Sequence, residues 1–269
     1  MNSVQALVLG IIQGLTEFLP ISSSGHLIFV PRLFGWADQG LTFDAVVHLG
    51  SLFAVLVYFR SRILSMLGSL CTRSVGESDR KERKLAFLLA VSIVPAALGG
   101  LFFQNWIENS LRSVFIISFS LIFWGIILGW ADRLAIKRNK SFSLDNLSFS
   151  KTVLIGIAQA LALIPGTSRS GVTMSAGLFL GLDKKSAADF SFLMSVPIIA
   201  IAGALKIFDL VRTGWGHIQI LPLGIGFFAA ALSGFLAIAG LMKIIQKWSF
   251  MPFVVYRVAM GILILVFFV

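Results

Sequence analysis

Apolar runs fill most of the chain and are separated by short polar breaks. Phe115 to Ile127 and Leu221 to Leu241 are two of the longest. A helix needs roughly 20 apolar residues to cross about 30 Å of hydrocarbon. Runs and breakers together predict about ten helical segments. These are Val4–Leu19, a short piece ending at Phe34, Thr42–Leu67, Lys84–Phe103, Val114–Leu134, Thr152–Ile164, a piece ending at Leu180, Ser186–Phe208, Ile218–Ile245 and Pro252–Phe268. The first two meet at a break from Pro20 to Gly25, and the sixth and seventh at a break from Pro165 to Gly171. Neither pair is long enough to cross a bilayer twice. Irregular backbone at membrane depth is tolerated only where protein or a water-filled cavity satisfies it. Both pairs are therefore expected to be re-entrant hairpins, leaving six spanning helices in an all-α integral membrane protein.

The two breaks match each other. A shift of 146 positions places Gly10 on Gly156, Gln13 on Gln159, Leu15 on Leu161, Ser22 on Ser168, Ser24 on Ser170 and Gly25 on Gly171. Each half then reads as one hairpin followed by three spans. Three is odd, so the second half must be inverted relative to the first. The expectation is one membrane domain over 1–269, with a first repeat in 1–135 and a second, inverted repeat in 150–269. Inverted-topology repeats place their site near the midplane, where broken helices meet.

Charge sets the orientation. Arg73, Arg80, Lys81, Arg83 and Lys84, then Arg133, Lys137, Arg138 and Lys140, then Lys184, Lys185, Lys243 and Lys247 all fall on one side of this plan. The other side has little beyond Arg32, Arg112 and Arg212. The basic side is expected to be cytoplasmic, which puts both termini and the opening of the site on the outer, periplasmic side of a bacterial inner membrane. The first hairpin then enters from outside and the second from the cytoplasm. Composition agrees: 57% of residues are hydrophobic, 13% are charged and the mean hydropathy is +0.93. The net charge of +10 lies in loops between apolar runs, so nucleic acid is not the expected partner. The single cysteine, Cys71, excludes an intramolecular disulfide and a cysteine metal cluster. No cleavable signal peptide is expected, because the N-terminus lacks a basic region and its apolar stretch is soon broken.

The candidate chemistry sits at the breaks. Glu17 is the one glutamate within an apolar segment, and an ionisable group at depth marks function by default. Gln13 and Glu17 are four apart and share a helix face; an amide neither titrates nor attacks, so Gln13 is expected to orient and bind. Ser22, Ser23, Ser24 and Gly25 supply hydroxyls and free N–H groups at a helix start, an anion-binding arrangement. His26, one turn on, can exchange a proton near neutral pH. In the second break Arg169 is flanked by Gly166, Ser168, Ser170 and Thr173, and a guanidinium binds phosphate through two parallel hydrogen bonds. Together the tips suit phosphoryl transfer. Plainer readings stand beside this one: a structural ion pair between Glu17 and Arg169, His26 as a satisfied structural histidine, Asp44 and His48 as a polar pair near a helix start, and Asp189 as a helix cap.

These tips resemble the undecaprenyl-diphosphate phosphatases of the bacitracin-resistance type. The resemblance rests on QGLTEFLPISSSGH at Gln13–His26 and PGTSRSGVT at Pro165–Thr173, and apolar segment spacing follows the family over essentially the whole chain. Gln13 stands where some members have glutamate, so a second carboxylate there is not required. The resemblance implies hydrolysis of a C55 polyprenyl diphosphate to the monophosphate and inorganic phosphate, supported by Mg²⁺ or Ca²⁺, which recycles the lipid carrier of cell-wall synthesis. It implies Glu17, Ser23, His26 and Arg169 as key positions and Thr173 as a supporting one.

The combined expectation is that Arg169 clamps the phosphates, Ser23 attacks the terminal phosphorus and His26 takes its proton. Glu17 holds the metal or orients the nucleophile. Direct attack by water, with Ser23 as a phosphate ligand, is left open. The expected partners are the polyprenyl diphosphate and membrane lipids, with a homodimer as an allowed assembly. The alternative class is a polyprenyl-phosphate flippase or anion transporter built on the same repeat.

Overall fold

The computed structural model describes residues 1–72, 76–111, 113–138, 140–213 and 219–268. Arg73, Arg112 and Ile218 lie outside the described residues. Those described form eleven α-helices, one short 3₁₀ turn at Leu144–Asn146 and no β-strand. The helices are α1 (Ser3–Phe18), α2 (Ser23–Leu33), α3 (Gly40–Tyr58), α4 (Arg60–Cys71), α5 (Glu77–Ser110), α6 (Val114–Lys137), α7 (Phe149–Leu161), α8 (Arg169–Leu180), α9 (Lys184–Thr213), α10 (Ile220–Lys247) and α11 (Met251–Phe268). Six stretches are long and apolar enough to cross a membrane: Gly40–Tyr58, Glu77–Phe103, Val114–Lys137, Lys184–Lys206, Ile220–Lys247 and Met251–Phe268. The protein is thus a multi-pass membrane protein. Large apolar side chains such as Leu101, Phe228 and Leu232 stay exposed. In water such a belt would be an aggregation surface; in a bilayer it is the face that meets lipid.

Two expected elements change. The third expected segment, Thr42–Leu67, divides at Phe59 into α3 and α4, which brings the helices to eleven. The division falls where the chain turns polar at Arg60-Ser-Arg62, and Arg62 is held in place by Glu82 of α5 at 3.0 Å. The cap of α9 is Asp183 rather than Asp189: its carboxylate accepts from the Ser186 N–H at 2.7 Å and from the Ser186 hydroxyl at 2.9 Å.

The basic segments do gather at one end of the bundle. Lys184 at the start of α9 pairs with Asp132 near the end of α6 at 2.9 Å and donates to the Trp248 carbonyl after α10. Arg138 donates to the Leu178 and Phe179 carbonyls at the end of α8. Lys84 near the start of α5 donates to the Asp145 carbonyl.

Close helix contacts give the direction of the short helices. Gly10 and Gly14 of α1 lie against Gly226 and Ala230–Gly234 of α10, and Gly50 and Ala54 of α3 against Phe227 and Gly234. Both α1 and α3 therefore run parallel to α10 and start at the end away from the basic loops, so α2 returns to the end where α1 began. Gly156 and Ala160 of α7 lie against Ser92 and Gly99 of α5. That makes α7 parallel to α5 and starts it at the basic end, to which α8 returns. Between apolar helices in lipid, small residues at the contact allow the backbones to approach.

At Gly14 an added Cβ would collide with the Ser233 side chain and the Ala230 carbonyl, whereas at Gly240 it would meet nothing within 4 Å. Overpacking of this kind costs about 1–3 kcal/mol. Gly14→Ala is expected to lower the melting temperature in detergent. Gly240→Ala is expected to leave it unchanged or raise it, since alanine favours a helix by about 1 kcal/mol.

Candidate active site at the two helix breaks

Each break begins with a proline and ends in a serine cap. Ser22 caps α2 and its hydroxyl accepts from the Gly25 N–H; Ser168 caps α8 and accepts from the Gly171 N–H at 3.1 Å. Their φ values are +77° and +70°, and they are the two described non-glycine residues with positive φ. A side chain in that region costs on the order of 1–3 kcal/mol and persists only where its surroundings hold it. The geometry at the two serines repeats at the same offset as the sequence match.

A residue of α11 that the motifs do not contain holds both breaks. Arg257 is fully buried. Its guanidinium donates to five carbonyls: Pro20 at 3.1 Å in the first break, Gly166 at 3.0 Å and Thr167 at 2.9 Å in the second, and Ser120 and Leu121 on α6 at 3.4 and 3.2 Å. A planar fork of fixed donors suits this task. Gly171 makes room for it, since a Cβ there would lie 2.9 Å from the Arg257 Nη1. A second tie crosses the tips directly, from the Ser170 hydroxyl to the Leu19 carbonyl at 3.1 Å.

With the tips joined, Glu17 becomes the centre of the polar cluster. Its Oε1 accepts from Arg169 Nη2 at 3.1 Å. Its Oε2 accepts from the Ser23 hydroxyl at 2.7 Å and from the Gln13 amide at 3.1 Å, and lies 3.7 Å from His48 Nε2. Arg169 is braced in turn by the Ser191 carbonyl of α9 at 2.9 Å, and Thr173 bonds the Ser191 hydroxyl at 2.7 Å. The His48 Nδ1 donates to the Asp44 carbonyl at 2.6 Å, which leaves Nε2 directed at Glu17. Asp44 and His48 therefore do more than finish a helix end.

A cavity of about 390 Å³ opens over this cluster. Glu17, Ser22, Ser23, Ser24, Ser168 and Arg169 line its floor, with Asp44, His48 and Lys206 on its walls. Lys206 is near the far end of α9, about 33 Å from Lys184 at 1.5 Å per residue, so the cavity extends away from the basic loops. Residues at the starts of both α2 and α8, Ser23, Ser24 and Arg169, belong to this floor. Two helix starts facing one space favour an anion there.

Not every expected residue reaches the cavity. Gln13, Gly25, Gly166, Ser170 and Thr173 lie behind its wall, where they orient Glu17, cap α2, admit the backbone of the second tip and brace α8. His26 also lies behind it, buried. Its Nδ1 donates to the Ser22 carbonyl at 2.7 Å and its Nε2 bonds the Tyr256 hydroxyl at 2.6 Å. The Ser23 proton points to Glu17 rather than to His26. Sequence reasoning missed Arg257 and Tyr256. The available signal was an arginine in the middle of the last apolar segment, where a charge is costly without partners.

Replacing Arg257 by methionine would remove the side-chain donor from three carbonyls of the breaks, Pro20, Gly166 and Thr167, at about 1–3 kcal/mol for each left unpaired. Arg257→Met is expected to lower the melting temperature sharply, and Arg257→Lys, with fewer donors and no planar fork, to recover only part of the loss.

The profile of the family described as "Bacitracin resistance protein BacA" matches residues 6–263. The chain is 45% identical over 273 residues to "Undecaprenyl-diphosphatase 2" of Stutzerimonas stutzeri, covering 100% of this chain and 99% of that one. It is 44% identical to "Undecaprenyl-diphosphatase" of Hahella chejuensis over 97% of this chain and 96% of that one. It is also 44% identical to the protein of that name in Magnetococcus marinus, over 98% of each. The match runs nearly end to end and takes in both helix breaks: this chain belongs to the bacitracin resistance protein BacA family.

Proposed function

We infer that the protein is a membrane phosphatase that hydrolyses undecaprenyl diphosphate to undecaprenyl phosphate and inorganic phosphate, returning the lipid carrier to cell-wall synthesis. The observation that carries this reading is the Ser23–Glu17–Arg169 cluster at the floor of a cavity between two helix starts. It combines a nucleophile, a proton acceptor and a cation in one place. Transport, the other class the repeat allows, gives the Ser23–Glu17 hydrogen bond no task.

The terminal phosphate sits between Arg169 and the N–H groups that begin α2 and α8. Ser23 Oγ attacks its phosphorus and its proton passes to Glu17 Oε2, already 2.7 Å away. The bond from phosphorus to the bridging oxygen breaks and undecaprenyl phosphate leaves, taking the proton from Glu17. Water then attacks the phosphoserine and gives a proton to Glu17, which returns it to Ser23 Oγ as the bond from phosphorus to Oγ breaks and phosphate is released. Arg169 offsets charge on the equatorial oxygens throughout.

A divalent ion fits this site only as one that arrives with the substrate. Glu17 and Asp44 both line the cavity, yet among the described residues no three His, Cys, Asp or Glu side chains are placed so that they could hold a metal ion by themselves. Mg²⁺ characteristically takes one or two carboxylates and completes its shell with phosphate oxygens and water. Glu17 and Asp44 would hold Mg²⁺ or Ca²⁺ against the diphosphate, where it would neutralise phosphate charge.

The topology follows from the same reading. The α1–α2 and α7–α8 pairs are re-entrant hairpins entering from opposite faces, and the halves 1–135 and 150–269 of a single membrane domain form an inverted repeat. The support is the direction of α1 and α7 along α10 and α5 and the matched strain at Ser22 and Ser168. By the positive-inside rule the basic end is cytoplasmic in a bacterial inner membrane, and the termini and cavity mouth are periplasmic.

Phosphate release from undecaprenyl diphosphate by purified protein in detergent, with and without Mg²⁺ or Ca²⁺, tests the activity. Ser23→Ala and Glu17→Gln are each expected to lower kcat by at least about 100-fold with folding intact. Arg169→Lys should fall between wild type and Arg169→Ala, because a point charge replaces a fork. A phosphoserine at Ser23 should be trapped in a single turnover; its absence would move the attack to water oriented by Glu17. Tight diphosphate binding with no release by wild type would sink the phosphatase reading.

A further inference from the structure

His26 stands one turn after Ser23, yet its ring faces away from the cavity. It is 5% exposed and both of its nitrogens are engaged. A carbonyl can only accept, so the nitrogen on the Ser22 carbonyl carries a proton. In the neutral ring Nε2 then has a lone pair, and the Tyr256 hydroxyl donates to it. The two rings stack at 5.7 Å with an interplanar angle of 8°. The tautomer is thus assigned by its partners.

The strut ends at a strained residue. Ser22 has φ +77° and directly precedes Ser23. Arg257 holds the Pro20 carbonyl two residues before it, and Tyr256, next to Arg257 on α11, holds the Ser22 carbonyl through His26. The second break offers a comparison. Ser168 has nearly the same φ, but Val172 stands at the position matching His26. There the backbone alone bonds the serine carbonyl, from the Val172 N–H at 2.9 Å. The corresponding backbone bond in the first break, from the His26 N–H, is longer at 3.4 Å, and the ring supplies the shorter one. A helix start of this shape therefore forms without a histidine. Among the described residues the extra tie is found only at the break that carries Ser23.

We propose that Tyr256 is a positioning residue for phosphoryl transfer: through His26 it fixes the Ser22 carbonyl, and so aims Ser23 at Glu17. This rests on the reading that Ser23 acts in the cavity. In it His26 is a strut rather than the proton acceptor of Ser23. Loss of the phenol leaves the cavity floor present but poorly aimed, and small misplacements of reacting groups are costly in rate.

The test is a double-mutant cycle in kcat and KM for phosphate release, using the full chain in detergent. Tyr256→Phe is expected to lower kcat about tenfold with KM within about twofold, because the substrate's own contacts remain. In a His26→Ala background the same change is expected to add nothing, since the two residues act as one unit. Unchanged kcat in Tyr256→Phe, a rise confined to KM, or independent multiplication of the two effects would each overturn the proposal. A second measurement needs no activity. Nitrogen-15 spectra of the histidines, assigned with His26→Ala, should show His26 neutral with its proton on Nδ1 in wild type and a displaced Nε2 signal in Tyr256→Phe. A proton on Nε2, or a doubly protonated ring, would overturn it equally. If wild type releases no phosphate, the function reading fails on that result alone, and the spectra still decide whether the strut exists.

Discussion

The guanidinium of Arg257 is the constraint on which the site depends. Two helix breaks bring carbonyls into the interior that no helix ladder can satisfy, and in a bilayer no solvent reaches them. A single planar cation takes carbonyls from both breaks and from the helix beside them. The polar cost of breaking two helices at depth is thereby offset by one side chain, itself tolerated there because each of its three nitrogens donates to a carbonyl. Removing either break would take acceptors from the arginine, and removing the arginine would take a donor from both breaks. The two tips and α11 are in this sense one unit.

The tips can meet because the helices that carry them pack closely. Glycines on α1 and α7 let those helices lie against the backbones of α10 and α5, so each tip is delivered to a defined depth. Strain at Ser22 and Ser168 then turns each chain sharply enough for a new helix to start beside the same cavity. Positive ends of two helices, a guanidinium and a carboxylate make that space suited to an anion and able to accept a proton. The side chains behind the wall have a different task. Gln13 orients Glu17, Thr173 and Ser191 brace Arg169, and the His26–Tyr256 pair reaches the backbone just before Ser23.

Much of this was legible in the sequence. Hydropathy and breakers located the six spans and both short helix pairs, because burial in hydrocarbon imposes a length and a composition that can be read locally. Glu17, the serine run Ser22–Ser24 and Arg169 stood out for a related reason: charge and hydroxyls at membrane depth are costly unless used, so their type and position point to a site, while Ser23 was singled out within the run by the family resemblance. What only the tertiary structure decided is where side chains end. The sequence places His26 one turn from Ser23 but cannot show that its ring turns to Tyr256, 230 positions away. It shows an arginine in the last apolar segment but not the Pro20 carbonyl it reaches across 237 positions. His48 reads as part of a helix end until α3 is laid beside α1 and the ring meets Glu17. Arg62, just after the division of α3 from α4, likewise finds its partner Glu82 on another helix. Local pattern records which groups must be paired at depth; the partner itself is set by the packing of distant helices, which no local pattern contains.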